Sequence, residues 1–182
     1  APVASALGSG AMALDERATA IGFDATASGW QSAALGSSAQ ATGSGSVAVG
    51  GQLLVFDWES QSEILMSTQA SGQQSTAVGS AARATDVGTT AVGVLANATA
   101  QEAVAVGANA TSTGLGSIAI GSGANSRGAN GASIAIGYRA TAIGEMGVAV
   151  GGASFVNQRG GLAFGNAAQS VDTIIWRHDR VG

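Results

Sequence analysis

Few residues in this chain have side chains suited to catalysis or metal binding, and their spacing is poor for either. The one histidine, His178, stands in the run Trp176-Arg177-His178-Asp179-Arg180. A single imidazole among charged neighbours supplies neither the ligand set of a metal site nor an oriented base for proton transfer. Acids occur in two short runs, Asp15-Glu16-Arg17 and Asp57-Trp58-Glu59. Glycoside hydrolysis needs two carboxyls flanking one bond, and neither run has a companion cluster. Gly43-Ser44-Gly45 has the glycines of a phosphate loop but is followed by no helical pattern, so it carries no nucleotide reading. The chain has no cysteine, which removes disulfides and thiolate ligands together. The expectation is a protein that is not an enzyme and takes no cofactor and no metal.

The composition points to regular structure instead. Of 182 residues 46% are apolar, 10% are charged and 29 are glycine, the last about twice the usual share. Disordered chains are apolar-poor and charge-rich, the reverse of this one. All seven cations are Arg, and the net charge of −4 argues against nucleic acid as a partner. No apolar run is long enough for a membrane-spanning helix. The start of the chain, APVASALGSG, lacks the basic-then-apolar pattern of a signal peptide.

Repetition supplies the order. SVAVG at Ser46–Gly50 returns as AVAVG at Ala103–Gly107, as SIAIG at Ser117–Gly121 and Ser133–Gly137, and as GVAVG at Gly147–Gly151. The closing glycines fall at Gly8, Gly22, Gly36, Gly50, Gly79, Gly93, Gly107, Gly121, Gly137, Gly151 and Gly165. Their spacing is 14, apart from one interval of 16 and one of 29. The long interval is one period plus residues 51–65, GQLLVFDWESQSEIL; the interval of 16 has its extra residues within 125–133. Recurring glycines and β-branched residues exclude helix, and the alternation of small with branched residues reads as strand.

Counted from each closing glycine, position −2 is always Ala, from Ala6 to Ala163. Position −1 is Leu7, Ile21, Leu35, Val49, Val78, Val92, Val106, Ile120, Ile136, Val150 and Phe164. Position −3 adds Val47, Val104, Ile118, Ile134, Val148 and Leu162. In the other half of the repeat, position +3 is mostly Ala and +5 mostly Ala or Ser, with Thr, Gln, Asn and Arg at +4 and +6 between them. Each repeat therefore reads as two strands of about five residues joined by glycine turns, stacked at ~4.8 Å into a rod of about 50 Å. A coil of 14 residues is flat and has room inside only for Ala, Ser and Gly. Period-two alternation then turns the −1 and −3 residues outward, as an apolar stripe of roughly 500 Å², large enough to mark an interface. Closed association of two or three copies would cover it. The opposite sidedness, with Val and Ile inside a monomeric coil, needs a wider coil and leaves the constant Ala unexplained.

The S-V-A-(V/I)-G strand followed by x-x-A-x-A, in a 14-residue register kept over residues 4–165, resembles the head of trimeric autotransporter adhesins, the YadA-like head. That resemblance implies an all-β fold, a left-handed parallel β-roll assembled as a homotrimer, with the SVAVG strand on the inside of the trimer. It also implies the surface of a Gram-negative bacterium, with a C-terminal β-barrel anchor outside this chain, and attachment to host cells or extracellular matrix proteins. The absence of cysteine suits an extended chain that passes through a pore. The alternative is a structural spacer in a surface fibre with no ligand of its own. On this reading residues 1–168 form the head, interrupted at 51–65, and residues 169–182 form a connector or the start of a neck, with Trp176 capping the apolar axis.

Two further patterns are weighed on the same register. The insertion is expected to form a hairpin turning near Ser60-Gln61, with Leu53, Val55, Phe56 and Trp58 packing on this chain or a neighbour, or else binding a receptor. The sequons at Asn97-Ala98-Thr99 and Asn109-Ala110-Thr111 arise from the +4 and +6 columns. The threonines at +6 would suit ice binding only as an unbroken array, and Arg127 interrupts them.

Overall fold

The computed structural model describes residues 3–59, 61–128 and 131–170. Every regular element among them is a β-strand. Eleven short strands, from Ser5–Leu7 to Leu162–Phe164, form one parallel sheet, and eleven more, from Met12–Ala13 to Gln169–Ser170, form a second. The chain alternates between the two sheets, so each repeat is one coil of a solenoid. Registers are kept throughout: Ala91 pairs with Ala77 and Ala105, and Ala98 with Ala84 and Ser112. The 29-residue interval keeps the same register, because Gln69 pairs with Gln40 on one side and Arg83 on the other.

Strands are shorter than the five residues expected. They span three residues in the first sheet, as in Val104–Val106, and two in the second, as in Thr111–Ser112. Turns take up the difference, since most coils have three left-handed residues. In one coil these are Gly93, Leu95 and Glu102, at φ 129°, 57° and 58°. Two i+3 hydrogen bonds close the corners, from Ala96 N–H to Gly93 O at 3.2 Å and from Ala103 N–H to Ala100 O at 3.0 Å. The closing glycine is required twice over. Its φ of 119° to 151° is a region that residues with a Cβ rarely adopt. A Cβ on Gly93 would also sit 2.6 Å from the carbonyl oxygen of Gly107, one coil on.

The interior is built from methyl and hydroxymethyl groups. The −2 alanines from Ala20 to Ala163 are buried, as are +3 and +5 alanines such as Ala96 and Ala98. Ala6, in the first coil, is exposed. A fourth buried column, at −4, holds Ala18, Ser32, Ser46, Ser75, Thr89, Ala103, Ser117 and Ser133. It faces the +5 residue of the preceding repeat across the coil, Ser against Ser in some coils and Ser against Ala in others. Where both are Ser they bond, Ser112 Oγ to Ser117 Oγ at 2.6 Å and Ser126 Oγ to Ser133 Oγ at 2.7 Å. Where Ser faces Ala, the hydroxyls of Ser32, Ser46 and Ser75 are buried without a partner. The largest fully buried side chain, Val156, lies between Gly161, opposite it, and Gly147, one coil away.

Candidate functional site: two outer faces and a hairpin

With alanine inside, the −1 and −3 side chains of the first sheet point outward. Val47, Val49, Val78, Val92, Val104, Val106, Val148 and Val150 are half-buried, as are Leu35, Ile118, Ile134 and Leu162. Ile21, Ile120 and Ile136 are exposed, and at the two ends so are Leu7 and Phe164. What cover they have within the chain comes from neighbours in the same column, one coil above and one below. The result is a continuous aliphatic face along the first sheet. The second sheet presents Thr26, Gln40, Asn97, Thr111, Asn125 and Thr141 outward instead.

The residues at 51–65 form an antiparallel hairpin, as expected, with strands Leu53–Asp57 and Ser62–Met66. Cross-strand partners share a face, so Leu53, Val55, Ile64 and Met66 lie on one side and Leu54, Phe56, Glu63 and Leu65 on the other. Leu53 and Val55 are half-buried. Trp58 does not join them: it is 78% exposed and meets Phe56 edge to face, with ring centroids 4.7 Å apart. Ser60, at the expected turn, lies outside the described residues.

The acids singled out in the sequence serve the backbone. Asp15 accepts the N–H of Glu16 at 2.7 Å and Asp57 that of Glu59 at 3.0 Å. Asp86, not singled out, does the same for Val87 at 2.7 Å. Ser44 and Gly45 belong to a solenoid turn, with Gly45 N–H bonded to Trp30 O at 2.7 Å. Among the described residues no three His, Cys, Asp or Glu side chains gather as a metal site would require. His178 and Trp176 lie outside the described residues.

Sequence reasoning missed two features. The −4 column was not identified as core, although its two-residue offset from the −2 alanines places it on the same side. The turn edges were read only as glycine turns, yet they expose Phe23 and Tyr138 beside the closing glycines and Trp30, Val87 and Leu115 at the opposite corner. Reading positions +1 and −6 as columns finds them.

The model of the YadA head domain repeat (2 copies) matches residues 4–25, 27–52, 70–96, 98–124 and 131–154. Among solved structures, the chain is similar to the collagen-binding domain of the Yersinia adhesin YadA, with 21% identity over 94% of this chain and 77% of that one and a TM-score of 0.41. Comparison with curated proteins gives no match.

Proposed function

The chain belongs to the YadA head domain repeat family, which is the head of an adhesin and not an enzyme family, and from that premise we propose that it is the trimeric, surface-displayed head through which a bacterium attaches to host matrix or cells. The observation that carries this reading is the division of the outer surface. The interior is already filled by alanine and serine, so the aliphatic face is left over for association. Burying its seventeen side chains at ~1.5–3 kcal/mol each gives roughly 25–50 kcal/mol gross per chain, an upper bound. Three copies around an axis would hide it and leave three polar second-sheet faces outside.

The mechanism follows from repetition. Each second-sheet face offers weak polar contacts at most coils, ~4.8 Å apart, with Met12 and Phe155 the apolar exceptions at +4. A fibrous or clustered ligand then engages many of them at once, and avidity replaces the single deep pocket. Anchorage would come from a membrane-inserted segment outside this chain.

Two measurements test the reading. Light scattering on the purified chain should give three times 17.4 kDa. The same material, immobilised, should capture collagen, fibronectin, laminin or host cells in a saturable manner. A folded trimer that captures none of them would be a spacer, and the attachment reading would fail.

A further inference from the structure

We propose that the cleft where the strand Ser62–Met66 runs back into the second sheet is a saccharide site, which takes a sugar carboxylate on Arg83 and a neighbouring N-acetyl group against Leu65 and Met66. The proposal deepens the attachment reading above and rests on it only for the outward aspect of the second sheet.

Three observations lead to it. First, the cleft combines the right groups. It has a volume of about 200 Å³ and is lined by Leu65, Met66, Ser67, Gln69 and Arg83. Register sets Arg83 directly beside Gln69, one coil on. Leu65 and Arg83 are exposed, and Met66, Ser67 and Gln69 are half-buried. An aliphatic pair, a hydroxyl, a carboxamide and a guanidinium therefore border one space.

Second, the guanidinium is uncommitted. The Arg83 side chain has no hydrogen bond or ion pair among the described residues, whereas Arg127 donates from Nε to Asn125 Oδ1 at 2.7 Å and Arg159 lies 3.5 Å from Glu145. The surroundings are also cleared of acid. In a chain of net charge −4, the outward +4 and +6 columns of the second sheet hold Arg83 and Arg127 and no Asp or Glu among the described residues. Asp15, Glu16, Asp24, Asp86, Glu102 and Glu145 all stand at the corners. Glu63 shares the hairpin face of Leu65 but does not line the cleft. A free guanidinium with no carboxylate in its columns is set to take an incoming anion, and its planar fork matches a carboxylate.

Third, the rest of the cleft selects the kind of anion. The backbone here is spent on the neighbouring coils, with Gln69 N–H to Ala82 O and Arg83 N–H to Ala96 O both at 2.8 Å, so a peptide strand finds no free edge. Two apolar side chains are too few to cover an acyl chain, but they can cover one methyl group. What remains is a row of groups that both donate and accept, as sugar hydroxyls require: Gln40, Gln69, Asn97 and Thr99. Gln69 donates from Nε2 to Gln40 Oε1 at 3.5 Å, which leaves its own Oε1 as an acceptor.

The test uses two probes that carry both a carboxylate and an N-acetyl group. Sialyllactose presents them at a chain end and a hyaluronan tetrasaccharide within a chain; lactose is the neutral control. Saturation-transfer NMR on the purified protein should show at least one acidic probe binding, with its N-acetyl methyl the most strongly saturated, and no binding of lactose. Arg83→Gln should weaken that binding by at least roughly tenfold. Leu65→Ser should reduce saturation of the methyl. Both positions are exposed, so folding should survive, with circular dichroism as the check. Arg127→Gln, three coils away, should change little. If neither acidic probe binds, or if Arg83→Gln leaves binding unchanged, the saccharide site is overturned. Matrix capture by the same material separates the two readings. Capture that persists without saccharide binding leaves attachment standing and removes the cleft. Saccharide binding lost with Arg83→Gln, in a protein that captures no matrix, upholds the cleft while the matrix reading falls.

Discussion

Val156 is the one large side chain in a column of Ala and Ser, and two glycines accommodate it. A Cβ on Gly147 would lie 2.7 Å from Val156 Cγ1, and one on Gly161 2.9 Å from the same atom. Gly147→Ala should therefore destabilise by about 1–3 kcal/mol through overpacking. Val156→Ala should cost about 2 kcal/mol through the space it leaves. In the double variant the penalties should partly cancel, because the valine methyl that an added Cβ at 147 would meet is gone. Additive losses in urea unfolding would show that the two sites do not touch. The serines give a second contrast. Ser46 and Ser75 bury hydroxyls with no partner, so alanine there should be neutral or stabilising by up to ~1 kcal/mol. Ser112→Ala deprives Ser117 of its 2.6 Å partner and should cost about 1 kcal/mol. This difference in sign within one fold is what the sequence concealed. A serine reads as polar surface until its column is seen to lie two residues from the constant alanine, on the inner side of the strand.

The coil is held as much by its corners as by its strands. Strand direction, sidedness and register were legible because Ala at −2 and Gly at 0 recur without exception, and only one flat coil puts both to use. Strand length was not legible. Leu95, Glu102 and Arg139 adopt left-handed backbone at φ 57°, 58° and 54°, and nothing in their identity announces a turn. They hold such corners without the glycine that the closing position demands, because φ near 55° is the left-handed region that residues with a Cβ can enter, whereas φ of 119° to 151° is not. Gly93→Ala should thus cost at least ~3 kcal/mol, from an unfavourable φ together with a collision against the Gly107 carbonyl. Far-ultraviolet circular dichroism on melting would report it as a lowered midpoint, or as loss of the β signal. A midpoint unchanged from the parent protein would mean that the stacked coils can separate locally at little cost. The hairpin marks the limit of legibility in the other direction. Its existence followed from a break in composition at Leu53, Phe56 and Trp58. The division of its faces, with Leu53 and Val55 on one and Phe56 on the other, needed the cross-strand register Leu53 to Met66.

At the scale of the whole molecule, the same alternation that fills the core with alanine sets the face on which the proposed trimer would associate. Each coil adds one or two aliphatic side chains to the outer face, and eleven coils align them into one surface. Such a surface has no weak centre, so a single conservative change should leave the assembly intact. Val106→Thr should lower the melting temperature by a few degrees without altering the mass. Charge should behave differently, because around the axis of the proposed trimer every substitution would be made three times at short range. Val92→Asp, Val106→Asp and Ile120→Asp together would bring carboxylates from all three copies into the same dry column, where desolvation and mutual repulsion both oppose burial. Light scattering on that triple variant should give 17.4 kDa where the parent gives three times as much. The alanine core is untouched by these changes, so the β signal should persist if the single coil stack is viable alone. Matrix capture should collapse in either case, because separate rods present one polar face where the trimer presents three. Should the triple variant keep the parent mass, the aliphatic face would not be the surface on which copies meet, and the division of labour between the two sheets would have to be drawn the other way round.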